Sequence, residues 1–421
     1  MARRKIREYD AKRLLVDHLP QYGAGIRWKG VLVTPGTDLT TLPQHYPWLL
    51  SESLVIKPDQ LFGKRGKLGL VGVNLSFDKV KEFLQEYRNK KITVGKATDT
   101  LTHFLVEPFI PHHQEYYLSL TSERDGIAIY FSTLGGIEVE ENWSKVKKGF
   151  IPAIESSAEK LIEALLDETP PEQKEDISLF ITAVLQFYKN LDFVYLELNP
   201  FTIDAHNHIH ILDAVAQVDD CAAFKHTPEW KGLPFPKAFG RKSFPEEEFI
   251  ENIDKESGAS LKLTILNPTG RIWNILSGGG ASIIYLDSIA NLGKQEEIAN
   301  YGEYSGNPTA QESYLYAKTI LDLMTREPHP QGKILLIGGA IANFTDVEKT
   351  FTGIIKALRE YQEKLRAGKI SVLVRRGGPN YGKGLKLMEL AGTEMNIPMR
   401  VQGPDTPMVE MVGKAMEFLG A

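Results

Sequence analysis

From Leu261 onward the sequence repeats one pattern: a short apolar run, a glycine turn, and a segment whose apolar residues recur with helical spacing. Residues 261–266 and 271–276 flank Asn267-Pro268-Thr269-Gly270, and Gly278-Gly279-Gly280 opens a helix expected over 281–292. Asn307 and Pro308 read as the N-cap and first residue of a helix reaching about residue 324. Residues 333–337 read as a buried strand entering Gly338-Gly339, and Thr345 with Glu348 has capping-box spacing for a helix that stops before Gly368. Strands at 369–374 and 399–402 and a closing helix at about 406–419 complete the run. Such alternation predicts a doubly wound α/β domain, with ligands bound beyond the carboxyl ends of its strands. Asn343, Phe344 and Thr345 precede a helix at that edge and Arg375 and Arg376 end the neighbouring strand, so backbone N–H groups and guanidinium forks could meet around one anion. The two arginines also suit an ordinary exposed pair.

The first half reads differently. Residues 53–59 form a strand carrying Lys57, and Gly63-Lys64-Arg65-Gly66-Lys67-Leu68-Gly69 follows as a basic loop able to close over phosphates, or as a solvated basic turn. Phe77, Val80, Phe83, Leu84 and Tyr87 mark one face of a helix after Ser76. Residues 104–111 read as a strand interrupted by Pro108 and Pro111, with free backbone groups along a sheet edge for a planar base, or simply as an edge strand. Residues 116–122 and 127–132 flank Asp125-Gly126 as a hairpin, and helices are expected over 154–166 and 177–188.

Residues 193–219 then read as two strands joined by a tight turn. Period two puts Glu197 and Asn199 on one face, and Asp213 arrives from the facing strand. Converging oxygen donors suit Mg²⁺ beside nucleotide phosphates; a hairpin with one solvated face has the same pattern. Prolines 228, 234, 236 and 245 mark a connection between domains.

At 421 residues, two or three domains are expected. A net charge of -5 offers no basic surface for nucleic acid. The one cysteine, Cys221, fits a reducing compartment. The basic start is followed by Glu8, Asp10 and Asp17 without an apolar core, and no run approaches membrane-spanning length. A cytoplasmic protein, without membrane or nucleic-acid partners, is the expectation.

Long runs carry a resemblance: Val55-Ile56-Lys57-Pro58-Asp59-Gln60-Leu61, residues 65–75, Asn300-Tyr301-Gly302-Glu303-Tyr304-Ser305-Gly306, Ile341-Ala342-Asn343-Phe344-Thr345 and residues 374–381. Over almost its whole length the chain resembles the N-terminal part of ATP-citrate lyase, and looks like the smaller subunit of the two-chain form. It is more distantly similar to the nucleotide-binding subunit of succinyl-CoA synthetase. The resemblance implies an ATP-grasp fold (1–225), a connecting segment (226–257) and a flavodoxin-like domain of the CoA-ligase type (258–421). It places ATP phosphates on Lys57, Arg65 and Gly66, adenine on Pro108 and Ile110, and ribose on Glu115. Asn199 and Asp213 become Mg²⁺-ATP ligands with Glu197 beside them, and a second cation maps to Asp254, Ser257 and Ala259. Citrate lies against Ser305, Gly306, Asn343, Phe344, Thr345, Tyr361 and Arg376.

The family's reaction passes a phosphoryl group from ATP to a histidine and on to citrate. Coenzyme A displaces phosphate, and citryl-CoA is cleaved to acetyl-CoA and oxaloacetate. None of the ten histidines, at 18, 45, 103, 112, 113, 206, 208, 210, 226 and 329, stands in the family's Gly-His-Ala-Gly setting. No catalytic residue is therefore expected in this chain. The phosphohistidine, the CoA site and a citrate-synthase-like domain are expected on a larger partner subunit, in a hetero-octamer, with Gly278, Gly279 and Gly280 meeting the phosphohistidine. His206, His208 and His210 alternate and could be drawn as a metal site, but they flank a turn and suit a solvated hairpin end. An acid–CoA ligase subunit of the citryl-CoA or succinyl-CoA synthetase type and a non-catalytic regulatory subunit are the alternative readings.

Overall fold

The computed structural model describes residues 3–154, 157–204, 206–241 and 244–419. The chain divides into two compact units, Met1–Arg241 and Lys242–Ala421.

The first unit contains two main antiparallel sheets. The larger runs in the order Arg3–Ile6, Ala214–Asp219, Phe193–Ile203, Tyr116–Glu123, Gly126–Ser132, Lys147–Pro152, with Ile209–Ile211 paired to the far end of Phe193–Ile203. Strand parity works as expected: Leu196 and Leu198 are buried, while Tyr195, Glu197 and Asn199 share the opposite, half-open face. The helix Pro171–Asn190 shares the large core through Phe180, Ile181, Val184 and Phe187. The helix expected from residue 154 is Glu159–Leu165; residues 155 and 156 lie outside the described residues.

The smaller sheet has the order Val31–Val33, Phe104–Pro108, Leu54–Pro58, Gly72–Leu75. It packs with the helix Phe77–Tyr87, whose Val80 and Leu84 are buried and whose N-cap Ser76 accepts from Lys79 N. Phe104–Pro108 is thus an interior strand, paired on both sides, and the expectation of an edge is corrected. Its prolines fall on its last residue and beyond it, where a missing N–H breaks little of the ladder. Residues 226–241 fold into this unit: Trp230 and Leu233 enter its large core and Phe239 its small one.

In the second unit the helix Pro245–Glu256 packs against a six-stranded sheet, Ser260–Ile265, Asn300–Ser305, Ile272–Ser277, Lys333–Gly339, Ile370–Arg375, Met399–Gln402. The first pair is antiparallel and the rest are parallel. Asn300–Ser305 inserts between the two runs flanking residues 267–270, which do not pair with each other. Trp273, Ile275, Leu335 and Ile337 serve one core; Ile272, Leu276, Ile334 and Leu336 serve another on the opposite face. Strands covered on both faces read as continuous apolar runs, which is why this half was visible in the sequence.

Two caps differ from expectation. Asn307 is not the N-cap: it takes a left-handed conformation (φ 60°) two residues before Thr309. Thr309 caps the helix Ala310–Arg326 in a reciprocal box with Glu312. Asp346 rather than Thr345 caps Val347–Ala367, accepting from Lys349 N at 3.0 Å, because a carboxylate outranks a threonine hydroxyl there.

Candidate functional site

Residues of both main sheets of the first unit line a cavity of about 1280 Å³. It collects Lys57, Arg65, Gly66, Pro108, Ile110, Glu115, Glu197, Asn199 and Asp213 from segments more than 150 residues apart.

The cations do not stand free. Lys57 Nζ lies 2.6 Å from Glu8 Oε1 and 2.9 Å from Glu107 Oε1, and donates to Leu212 O at 2.6 Å. Arg65 Nη2 lies 2.7 Å from Glu8 Oε2 and 2.5 Å from Asp213 Oδ1, while Nη1 donates to Pro58 O. Lys12 Nζ joins Glu8 and Glu107 at 2.7 and 2.8 Å, and Trp28 Nε1 donates to Glu107. Burial would raise the Glu8 pKa, but Lys12, Lys57 and Arg65 hold it well below the usual carboxylate range. Burial would likewise lower the Lys57 pKa, yet Glu107 and Glu8 keep it above its ordinary value. Glu8, Lys12, Trp28 and Glu107 are the residues that the sequence did not reveal; only their contacts in three dimensions do.

At the other end of the cavity His112 Nδ1 meets Ile110 O at 2.7 Å and Nε2 meets Glu115 Oε1 at 3.0 Å, which orients the carboxylate expected at the ribose. Gly136 (φ 59°) donates its N–H to Asn199 Oδ1 at 2.7 Å, and a Cβ there would strike the Glu115 carboxylate. Gly136→Ala should therefore displace Glu115 and weaken ATP binding about tenfold by calorimetry. Wild-type affinity in that variant would remove Glu115 from the nucleotide site. Glu197 accepts from Tyr195 Oη and, at 3.4 Å, from Asn199 Nδ2, so it steadies Asn199 from the side.

Asp59, just past the Lys57 strand, accepts from Glu8 N and Tyr9 N at 2.9 and 3.1 Å. Burial, then repulsion from Glu8, pushes its pKa up to about 6. His103, whose carbonyl accepts from Asp59 N, is pushed down to about 4 by burial and Arg7. An unfolded aspartate titrates near about 3.9 and an unfolded histidine near about 6.5. Between about pH 4 and 6 the folded chain holds the Asp59 proton that the unfolded chain has lost, so this contribution falls as pH rises; His103 acts oppositely up to about pH 6.5. Asp59→Asn should uncover the histidine slope, with stability against urea rising with pH in this window more steeply than in the wild type. His103→Gln should tilt the other way, and equal slopes in both variants would refute the assignment.

The hairpin end next to the cavity, which His210 lines, is organised by Asp204, whose Oδ2 meets His210 Nε2 at 2.9 Å and His208 Nδ1 at 3.2 Å. The Asp204 side chain makes no contact with the His206 ring; it accepts the His206 backbone N–H.

The second unit presents a different site at the carboxyl ends of its strands. Arg375 and Arg376 are 5% and 2% exposed, so the reading as an exposed pair is overturned. Arg375 donates to Gly339 O, Pro404 O and Thr406 O at 2.7–2.9 Å. Arg376 donates to Ser277 Oγ at 2.7 Å and to Ala340 O, and among the described residues its Nε has no hydrogen-bond partner. Among the described residues neither guanidinium has a carboxylate partner. Ser277 leads into Gly278 (φ 89°) and the helix Gly279–Asn291, whose first turn faces the Glu303 carboxylate at Gly279. Ala342 N donates to Gly377 O and Asp346 N to Asn307 Oδ1, which ties the 340–346 loop to the segments carrying Arg376 and Ser305-Gly306. Within that loop Asn343 and Phe344 are exposed and Thr345 is buried.

Tyr361 is not brought to this rim. It stands fourteen residues beyond Val347 on the same helix, about 21 Å along the axis at 1.5 Å per residue, and its hydroxyl meets Asp322. Asp254, Ser257 and Ala259 do lie together, but Asp254 spends its two oxygens on Leu261 N and Lys262 Nζ, and Ser257 Oγ accepts from Ala259 N. The structure uses these groups to join a helix end to a strand, and the second cation position does not follow from them.

Two family profiles match the chain: one described as the ATP-citrate synthase ATP-grasp domain over residues 2–230, the other as ATP citrate lyase citrate-binding over residues 241–418. The chain is 47% identical over 422 residues to the ATP-citrate synthase alpha chain protein 2 of Oryza sativa subsp. japonica, covering all of both proteins. It is 47% identical to ATP-citrate synthase of Homo sapiens over 420 residues, 99% of this chain but 38% of that longer protein. Among solved structures it resembles ATP citrate lyase from Methanothrix soehngenii in complex with citrate and coenzyme A, with 47% identity, a TM-score of 0.91, and coverage of 99% of this chain and 100% of that one.

Proposed function

The chain belongs to the ATP-citrate lyase family, and from that membership we propose that its first unit binds ATP and its second binds citrate for a reaction completed on a larger partner subunit. It is an enzyme subunit corresponding over its full length to the alpha chains of the plant enzymes. With coenzyme A as co-substrate, the assembled enzyme converts citrate to acetyl-CoA and oxaloacetate at the expense of ATP.

One observation carries the citrate half: two adjacent buried guanidiniums, Arg375 and Arg376, whose partners are all neutral. A buried charge is costly unless compensated, so the site is completed by a polyanion. Arg376 grips the carboxylates, and Ser305, Gly306, Asn343, Phe344 and Thr345 supply hydroxyl, amide and backbone groups around them. The N–H groups of Gly278, Gly279 and Gly280 receive the phosphoryl group carried on the partner's histidine.

On the ATP side Lys57, Arg65 and the backbone at Gly66 hold the phosphates, the backbone from Pro108 to Ile110 faces adenine, and Glu115 takes the ribose. Asn199 Oδ1 and Asp213 Oδ2 are hard oxygen donors on one cavity wall and fit Mg²⁺, which when bound neutralises developing charge on the phosphate oxygens. Little covalent chemistry is asked of this chain: positioning and charge neutralisation suffice for the phosphoryl group to leave. The partner carries the phosphohistidine, the CoA site and the citrate-synthase-like domain, and the two chains assemble as a hetero-octamer in the cytoplasm. No helix among the described residues is long and apolar enough to cross a membrane.

Mixed with the larger chain, this protein is expected to produce oxaloacetate from citrate, ATP and coenzyme A in a coupled malate dehydrogenase assay. Accumulation of citryl-CoA without oxaloacetate would instead support a ligase subunit.

A further inference from the structure

We propose that Glu8, in the first turn of the helix Glu8–His18, is a positioning residue of the nucleotide site: its carboxylate gathers Lys57 and Arg65 and aims both cations into the cavity without itself reaching a nucleotide. The proposal rests on the ATP reading above.

Each oxygen of Glu8 serves a phosphate-gripping cation, Oε1 at 2.6 Å from Lys57 Nζ and Oε2 at 2.7 Å from Arg65 Nη2. Lys57 and Arg65 line the cavity; Glu8 does not, and is 4% exposed. Three cations, Lys12, Lys57 and Arg65, face three carboxylates, Glu8, Glu107 and Asp213, so the cluster is balanced before any phosphate enters. The carboxylates are not equivalent. Glu107 and Asp213 line the cavity and can be re-partnered by an incoming cation or phosphate, whereas Glu8 is sealed behind them. When phosphates draw Arg65 away from Asp213, Glu8 remains as the fixed anchor of both cations. Long cationic side chains lose much rotamer freedom on binding, and an anchor that orders them beforehand strengthens each contact to the ligand.

Glu8 is itself set by Asp59, which accepts from its backbone N–H, and by Arg7, which donates to Asp59 O at 2.7 Å. The N-terminal helix is thereby locked to the strand that carries Lys57.

A purely structural role, neutralising buried cations, makes a different prediction, and two variants separate them. Glu8→Gln keeps the shape and removes the charge; calorimetry on the full chain with Mg-ATP should show affinity weakened about 10- to 100-fold, while the thermal shift caused by citrate stays at the wild-type value. Glu8→Gln combined with Lys12→Met removes one anion and one cation together, which restores the charge balance and, with it, stability. ATP affinity in the double variant should nevertheless stay at least about tenfold weak. Recovery of ATP affinity to within about twofold of wild type, alongside recovered stability, would overturn the positioning role. Should the single variant not fold, the double variant decides alone. A wild-type chain that responds to citrate but binds no ATP would sink the nucleotide reading itself, a result distinct from either variant outcome.

Discussion

Asp213→Ala is expected to lower citrate- and ATP-dependent turnover of the assembled enzyme by about 100- to 1000-fold, the scale of losing one preorganised electrostatic contact in an enclosed site. Asp213 lies in the bend between Ile209–Ile211 and Ala214–Asp219, where its N–H donates to Pro200 O at 3.2 Å and its carbonyl accepts from Asn199 N at 3.1 Å. Those bonds hold its backbone beside Asn199, and alanine leaves them intact. What disappears is the oxygen donor proposed for the cation and the 2.5 Å contact that parks Arg65. The Asp213 side chain is 35% exposed and Arg65 keeps Glu8 as a partner, so the loss of stability should be small beside the defect in kcat/KM for ATP. The citrate-induced thermal shift should be unaffected. Turnover unchanged by Asp213→Ala would remove this residue from the cation site.

The second large effect has an unusual sign. Arg376→Met keeps most of the side-chain volume while deleting a buried charge that donates to Ser277 Oγ and Ala340 O and has no carboxylate partner among the described residues. An uncompensated buried ion costs several kcal/mol, so the citrate-free variant should be at least as stable as the wild type. Citrate should raise the Tm of the wild type, since a ligand that binds only the folded state stabilises it. In Arg376→Met that response should almost vanish: two charge-assisted bonds at about 1.5–3 kcal/mol each correspond to an affinity loss of about 100-fold or more. Succinate, with fewer carboxylates, should shift the wild type less than citrate does. A variant that keeps the full citrate shift would show that the anion lies elsewhere.

Much of this could be read along the chain. Glu197 and Asn199 were assignable to one face because strand parity is a local property, and Lys57 with the 63–69 loop because a strand end and a basic glycine turn are adjacent in sequence. The strands of the second unit were visible as apolar runs, and its family membership from the long matching segments. Where reading failed, a competing interaction at longer range had won. Phe104–Pro108 looked like an edge because of its prolines, yet Val31–Val33 pairs with it along the side that the expectation left open. Thr345 had the capping spacing, but Asp346 stood one residue further on. Tyr361 was grouped with Arg376 through resemblance, and helical rise carries it away.

The sequence alone determined the alternation of elements, the two-part organisation and the family, because periodicity and contiguous motifs are encoded between near neighbours. Tertiary structure alone decided how the charges are partnered. Glu8 lies 49 residues before Lys57 and 57 before Arg65, and no period links them; only the packing of the first helix behind the nucleotide cavity makes one carboxylate the anchor of both. Burial likewise decided Arg376. In sequence it is one of two arginines after a strand, whereas in the fold it is a desolvated cation with neutral partners, and it is that desolvation on which the proposed citrate site rests.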